Sequence, residues 1–214
     1  LADLIDNSIS AQAKNVRVDM EWRGTAEDSR VTVADDGIGM NYGELCRAMT
    51  PGSSSPSNSR EVNDLGRFGL GLKTASWSMG RRQTVRSVKD GDDRTLCWDL
   101  DHVEARGQWM VISDPEDRPV DLLRLPGMAR TGTVVVVERC DKIFGEEEPD
   151  AGKAEAAFYE KVEETRVHLE MAFHRFLARG TSREKSGVKI TLNGNPCLPW
   201  DPFLTGHRLT QDLG

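Results

Sequence analysis

Val31-Thr32-Val33-Ala34-Asp35-Asp36-Gly37-Ile38-Gly39-Met40 is the stretch on which the fold turns. Val31 and Val33 begin a half-buried strand that runs straight into Asp35-Asp36-Gly37. Two glycines within three residues let the backbone come close to a flat ligand. An ionised Asp35 only accepts hydrogen bonds and suits the exocyclic amine of adenine, while Met40 can pack on a ring face. Asp-Gly is also common in plain β-turns, so the stretch needs support from elsewhere in the chain.

Upstream, Leu1, Leu4, Ile5 and Ile9 recur at helical spacing. Asp3 and Asn7 are four residues apart and share one face of that helix. A neutral amide oxygen suits hard Mg²⁺, and a carboxylate one turn earlier can orient water for attack on a phosphate where it reaches. In isolation the same pair is ordinary surface polarity. Downstream, Gly66-Arg67-Phe68-Gly69-Leu70-Gly71-Leu72-Lys73-Thr74 gives G-x-x-G-x-G-x-K-T, whose backbone N–H groups and following helix favour anions. It is not a P-loop: the lysine would have to stand at 72, where Leu72 stands, and Ser- and Asn-rich chain precedes it instead of an apolar strand. The dinucleotide fingerprint G-x-G-x-x-G fails because the glycine order is reversed. Thr131-Gly132-Thr133 leads into Val134–Val137, where a hydroxyl at the base of a central strand can share the bonds of a buried carboxylate; a strand-start Thr with no role is the plainer alternative. Together the motifs supply the parts needed to hold a nucleotide and its magnesium ion.

The 214 residues are 37% hydrophobic and 29% charged, with net charge −7, enough for one full domain and part of another. The acidic balance argues against a surface built only for nucleic-acid backbone. Arg81, Arg82, Arg86 and Lys89 form the best candidate for a local basic patch, with a solvated strand face as the alternative. Cys46, Cys97, Cys140 and Cys197 contain no CxxC pair, so neither a zinc site nor a disulfide framework is signalled, which fits a reducing, cytoplasmic setting. No apolar stretch approaches a membrane span, and no membrane partner is expected. The chain opens at Leu1 inside an apparent helix, so an upstream piece is expected.

The expected order is helix 1–13, strand Val16–Trp22, the strand from Val31, a short helix 41–49, and a polar segment 50–64 that suits a lid more than a linker. Helix Thr74–Met79 follows, then strands Gln83–Val88, Thr95–Leu100 and Gln108–Ile112. The apolar, β-branched Thr133–Val137 suggests a central strand covered on both faces. Glu155–Ala178 has the longest helical pattern, and Val188–Leu192 turns at Asn193-Gly194, a strong hairpin signal. The fold class is α+β, with one domain over 1–182 and the beginning of a second over 183–214.

The Asp-Asn box, Asp-Gly-x-Gly-Met, Gly-x-x-Gly-x-Gly and Thr-Gly-Thr, in this order, resemble the gyrase B, Hsp90, histidine kinase and MutL superfamily of ATPases. Leu4-Ile5-Asp6-Asn7-Ser8, the Gly66–Lys73 loop and Trp200-Asp201-Pro202-Phe203 look most like the MORC-type and related prokaryotic members. The resemblance implies a Bergerat-type sandwich of helices on a mixed sheet, followed by the start of a transducer-like domain. It implies ATP and Mg²⁺ as ligands, with Asn7 on the metal, Asp35 on the adenine amine, and Gly37, Gly39 and Met40 lining the base pocket. Gly66, Arg67, Phe68, Gly69, Leu70, Gly71, Leu72, Lys73 and Thr74 would wrap the phosphates, residues 41–65 would form the lid, and Thr133 would support Asp35 and a water at the adenine. The family's usual base is Glu four residues before the Asn; Asp3 stands there, and one methylene fewer draws the carboxylate back by roughly 1.5 Å, a misplacement that can cost on the order of 10²-fold in rate. The implied function is an ATP-hydrolysing, lid-gated conformational or dimerisation switch. Alternatives are a nucleotide sensor without significant turnover and a histidine kinase catalytic domain. An ATP-dependent homodimer of the full-length protein and a nucleic-acid link are implied by the resemblance alone, and the strand and helix that normally precede the Asn box are not in the chain.

Overall fold

The computed structural model describes residues 1–50, 71–145, 149–150, 152–179, 187–204 and 208–211. Helix α1 (Ala2–Ser10) leads to the antiparallel pair β1 (Asn15–Glu21) and β2 (Arg30–Asp35). Then come α2 (Tyr42–Met49), α3 (Gly71–Trp77), β3 (Arg82–Lys89), β4 (Asp92–Asp99), α4 (Leu100–Arg106) and β5 (Ile112–Ser113). The chain continues through β6 (Gly132–Glu138), α5 (Ala154–Ala172), α6 (His174–Arg179), β7 (Lys189–Leu192) and β8 (Asn195–Pro196). Eight strands form one mixed sheet in the order β5-β4-β3-β6-β2-β1-β7-β8, in which β1 and β7 run parallel and every other neighbouring pair antiparallel.

Strand alternation sends Val16, Val18, Val31, Val33, Val85, Leu96, Val135 and Val137 to one face. There they meet Leu4 and Ile5 of α1, Leu45 and Met49 of α2, and Phe158, Val162 and Leu169 of α5 in the main core. Val134, Val136 and Ala34 point to the opposite face, where Leu123 covers them, with Leu122 and Leu125 beside it. The central strand is therefore buried on both sides, as its unbroken apolar run predicts. The architecture is an α+β two-layer sandwich, with irregular chain over part of its second face.

The Glu155–Ala178 pattern is two helices. Phe173, at φ −103° and ψ 12°, leaves helical geometry while keeping its ring in the core, and α6 starts afresh beyond it. The strand expected at Gln108–Ile112 is only the short β5, preceded by a helix that periodicity did not reveal. That helix, α4, has sequence-legible ends: the Asp99 carboxylate accepts from Asp101 and His102 N–H, and Gly107 closes it at φ +63°. Asn193 and Gly194 both take positive φ in the predicted hairpin. Asn193 Oδ1 also accepts from Met20 N–H at 2.7 Å, so strands of residues 187–196 extend the same sheet as β1.

The basic residues are each ion-paired, and of the four only Arg82 is buried. Arg81 pairs with Asp101, Arg82 is buried against Asp117, Arg86 holds Asp93 and Lys89 holds Glu44. All four cysteines are free, and burial pushes the Cys140 and Cys197 thiols up to about 12 and about 11. No helix among the described residues is long and apolar enough to cross a membrane.

Phe158 is fully buried and packs its ring 5.4 Å from that of Trp22. Phe158→Ala is expected to cost about 3–5 kcal/mol through the cavity it leaves, measured by urea unfolding. An unchanged midpoint would show that α5 is not part of this core.

Candidate functional site

Strand β2 delivers Asp35 to the end of the sheet, where the residue is 5% exposed. Oδ1 accepts from Gly37 N–H at 2.9 Å and from Thr133 N–H at 3.3 Å, while Ser8 Oγ lies 3.0 Å from Oδ2. Burial pushes its pKa up, opposed by the bonds from Gly37, Ser8 and Thr133, and the neighbouring Asp36 charge adds a smaller upward push. Asp36 behaves in the opposite way. Burial opposes its charge too, but the Asn15 side chain and the Asn15 and Lys14 N–H groups, at 2.6–2.8 Å, outweigh it and hold the carboxyl below the usual range.

Close backbone approach fixes the turn that follows. A Cβ on Gly37 would sit 2.6 Å from Ala11 O, and Ile38 N–H donates to that same oxygen at 2.9 Å. Gly39 takes φ +66°, and a Cβ there would lie 2.1 Å from Val88 O. Met40 N–H donates to Ser87 Oγ, which in turn lies 2.9 Å from Thr133 Oγ1. Gly132, at φ +142°, would clash with Asp35 O at 2.1 Å if it carried a Cβ. Thr133 thus reaches Asp35 through its main chain, and its hydroxyl faces Ser87.

Asp3 and Asn7 are both exposed on α1, whose opposite side buries Leu4, Ile5 and Ser8. Gly71 opens α3 and Leu72 is half-buried against the core; its carbonyl accepts from Gln83 Nε2 and Ser76 Oγ, both at 2.9 Å. Lys73 and Thr74 lie in the same helix. Gly66, Arg67, Phe68, Gly69 and Leu70, and most of the segment expected to form the lid, fall outside the described residues. Sequence reasoning missed Ser8, Ser87 and Gly132. Ser8 follows Asn7 directly and Gly132 sits inside Thr-Gly-Thr, so two of them stood within motifs already singled out. Ser87 carried no signal, because only strand register brings it beside Thr133.

Residues 1–126 match the family described as histidine kinase-, DNA gyrase B-, and HSP90-like ATPase, and the chain belongs to that family. Membership of that family makes this an ATP-binding domain, and helices packed on one mixed sheet are consistent with its Bergerat-type fold. The chain is 31% identical over 91 residues to ATPase morc-1 of Caenorhabditis elegans; the match takes in 42% of this chain and 10% of the worm protein. Among solved structures, it is similar to the 43K ATPase domain of Thermus thermophilus gyrase B in complex with an aminocoumarin, at 16% identity and TM-score 0.49. That similarity covers 92% of this chain and 44% of the other.

Gly39→Ala forces a side chain into left-handed backbone against Val88 O. It is expected to destabilise the fold by roughly 1–3 kcal/mol, read as a lower urea midpoint. A variant as stable as the parent would show that the turn is not held as described.

Proposed function

We propose that the chain is the nucleotide-binding part of an ATP-hydrolysing, lid-gated switch, with Asp35 reading the adenine amine. One observation carries this reading: a buried carboxylate whose Oδ1 accepts from two main-chain N–H groups and whose Oδ2, among the described residues, meets the Ser8 hydroxyl. Oδ2 keeps acceptor capacity for an amine donor, and Gly37, Gly39 and Met40 supply the backbone and thioether beside it. The glycine loop 66–71 and α3 behind it are the proposed phosphate contacts.

Mg²⁺ fits the donor chemistry of α1, because the exposed Asn7 amide oxygen is the kind of hard, neutral ligand this ion takes alongside waters. Bound there, the ion would offset phosphate charge. Asp3, one turn earlier and exposed, is the proposed general base that takes a proton from the attacking water. Its short side chain favours a second reading, a sensor that binds ATP with little turnover. Residues 183–214 are proposed to open a transducer-like domain while lending β7 and β8 to this sheet. An ATP-dependent homodimer and a nucleic-acid link belong to the same proposal.

Asp35→Asn is expected to keep the fold, since the amide still accepts from Gly37 and Thr133, and to abolish ATP binding by presenting a donor to the adenine amine. Such a buried mismatch costs roughly 1–3 kcal/mol or more, and calorimetry that returned parental affinity would remove Asp35 from the site. In the full-length protein, Asp3→Glu should raise steady-state hydrolysis and Asp3→Ala should eliminate it, with ATP affinity nearly unchanged in both. Hydrolysis unaffected by Asp3→Ala would contradict the base assignment, whereas no hydrolysis from any form would favour the sensor.

A further inference from the structure

The buried Ser8 hydroxyl faces two acceptors: Leu4 O at 3.2 Å and Asp35 Oδ2 at 3.0 Å. A serine has one proton to donate. If Asp35 is ionised, Ser8 must donate to Oδ2, and its contact with Leu4 O is not a hydrogen bond. If Asp35 carries a proton on Oδ2, it donates to Ser8 Oγ, and Ser8 donates on to Leu4 O. Only the second state satisfies both short contacts. Oδ1 cannot hold the proton in either case, because Gly37 and Thr133 N–H groups already point at it.

We infer that Asp35 holds a proton in the nucleotide-free site, that adenine binding expels it, and that Ser8 is a positioning residue whose hydroxyl turns to donate to the ionised carboxylate and so eases that loss. The inference rests on the proposed role of Asp35 toward adenine. An amine donor needs an acceptor, and a carboxylate oxygen accepts far better than a protonated one. The step balances simply: the Oδ2–H bond breaks, the proton leaves to solvent, Ser8 rotates from Leu4 O to Oδ2, and the amine donates to the remaining lone pair of Oδ2.

The surroundings agree. Burial pushes the Asp35 pKa up, and the elements packed against it present uncharged groups: Ser8 and Ala11 before β1, Gly37 in the turn, Gly132 and Thr133 from β6. Among the described residues the charged neighbour is Asp36, which adds to the upward push. A raised folded-state pKa means that the proton stabilises the nucleotide-free fold fully below the ordinary carboxylate value. That contribution is lost as pH rises through the folded value. Adenine affinity changes in the opposite sense: it is full above the folded value and falls about tenfold per pH unit below it, as one linked proton requires.

Carbon-13 NMR of the Asp35 carboxyl in the nucleotide-free chain tests the pairing without any ligand, and adenosine in metal-free buffer tests the linkage without titrating phosphates. The parent should show adenosine binding that weakens as pH falls through the Asp35 midpoint, and adenosine should lower that midpoint. In Ser8→Ala, loss of the donor to the carboxylate should move the midpoint, and the affinity profile with it, upward. A merely structural serine would lower affinity equally at every pH, and that result would overturn the proposal. So would an Asp35 midpoint unchanged in Ser8→Ala, or adenosine affinity that stays flat across the midpoint. If the midpoint moves as expected but adenosine does not bind at any pH, the proposed adenine site fails and the linkage is overturned with it, while the Ser8–Asp35 pairing stands.

Discussion

Everything near the top of this sheet depends on keeping one carboxylate out of water. Burying Asp35 without partners would be prohibitive, so three separate parts of the chain bring hydrogen-bond partners to it: α1 through Ser8, the turn through Gly37, and β6 through Thr133. The geometry that places those donors also explains the glycines. Gly37 lets the turn pass under Ala11 O, and Gly132 lets β6 start against Asp35 O. The neighbouring Asp36 shows what the alternative looks like. With its carboxylate turned toward the main chain of Lys14 and Asn15, it serves as a structural clamp between β1 and β2, held firmly ionised. Two adjacent carboxylates thus take opposite environments and opposite shifts.

The other end of the sheet is closed by charge. Arg82 is buried, holds Asp117 through both terminal nitrogens at 2.6 Å, and lies within 3.9 Å of Asp99 and 3.7 Å of Glu138. Burial lifts the Glu138 pKa despite Arg82, Arg30 and Arg139 around it. This network ties β3, β4 and β6 to the chain around Asp117, which leads on to the leucines covering the second face. Removing one member would strand a buried charge, a larger loss than the pairing itself is worth. The Asp35 end is the part of the sheet built from glycine turns and uncharged donors.

The fold was legible where pattern and register agree. The alternation before Asp35, the continuous Thr133–Val137 run and the Asn193-Gly194 turn each gave the element that forms. Failures came where tertiary packing overrides local pattern. The break at Phe173 serves a core position, and α4 is a short, mostly exposed helix defined by its caps more than by a stripe. The charges of β3 misled for a related reason: Arg82 and Arg86 look solvated in a strand, yet their partners Asp117 and Asp93 come from later chain. Around Asp35, motif order gave Gly37, Gly39, Met40 and Thr133 but missed Ser8 and Gly132 inside the same motifs, and Ser87 carried no signal because only the pairing of β3 with β6 places it.

The proposed role of Asp35 is that of a buried acceptor that selects adenine. It is tested most directly by comparing ATP and GTP binding to this chain by calorimetry under identical Mg²⁺ and pH conditions. Guanine presents a carbonyl oxygen where adenine presents its amine, so an acceptor would face an acceptor in the buried site. A site built around one hydrogen-bonding group rejects the mismatched ligand strongly. ATP is expected to bind, and GTP to bind roughly ten- to a hundredfold more weakly, in line with the cost of an unpaired buried polar group. Equal affinity for the two nucleotides would contradict that role.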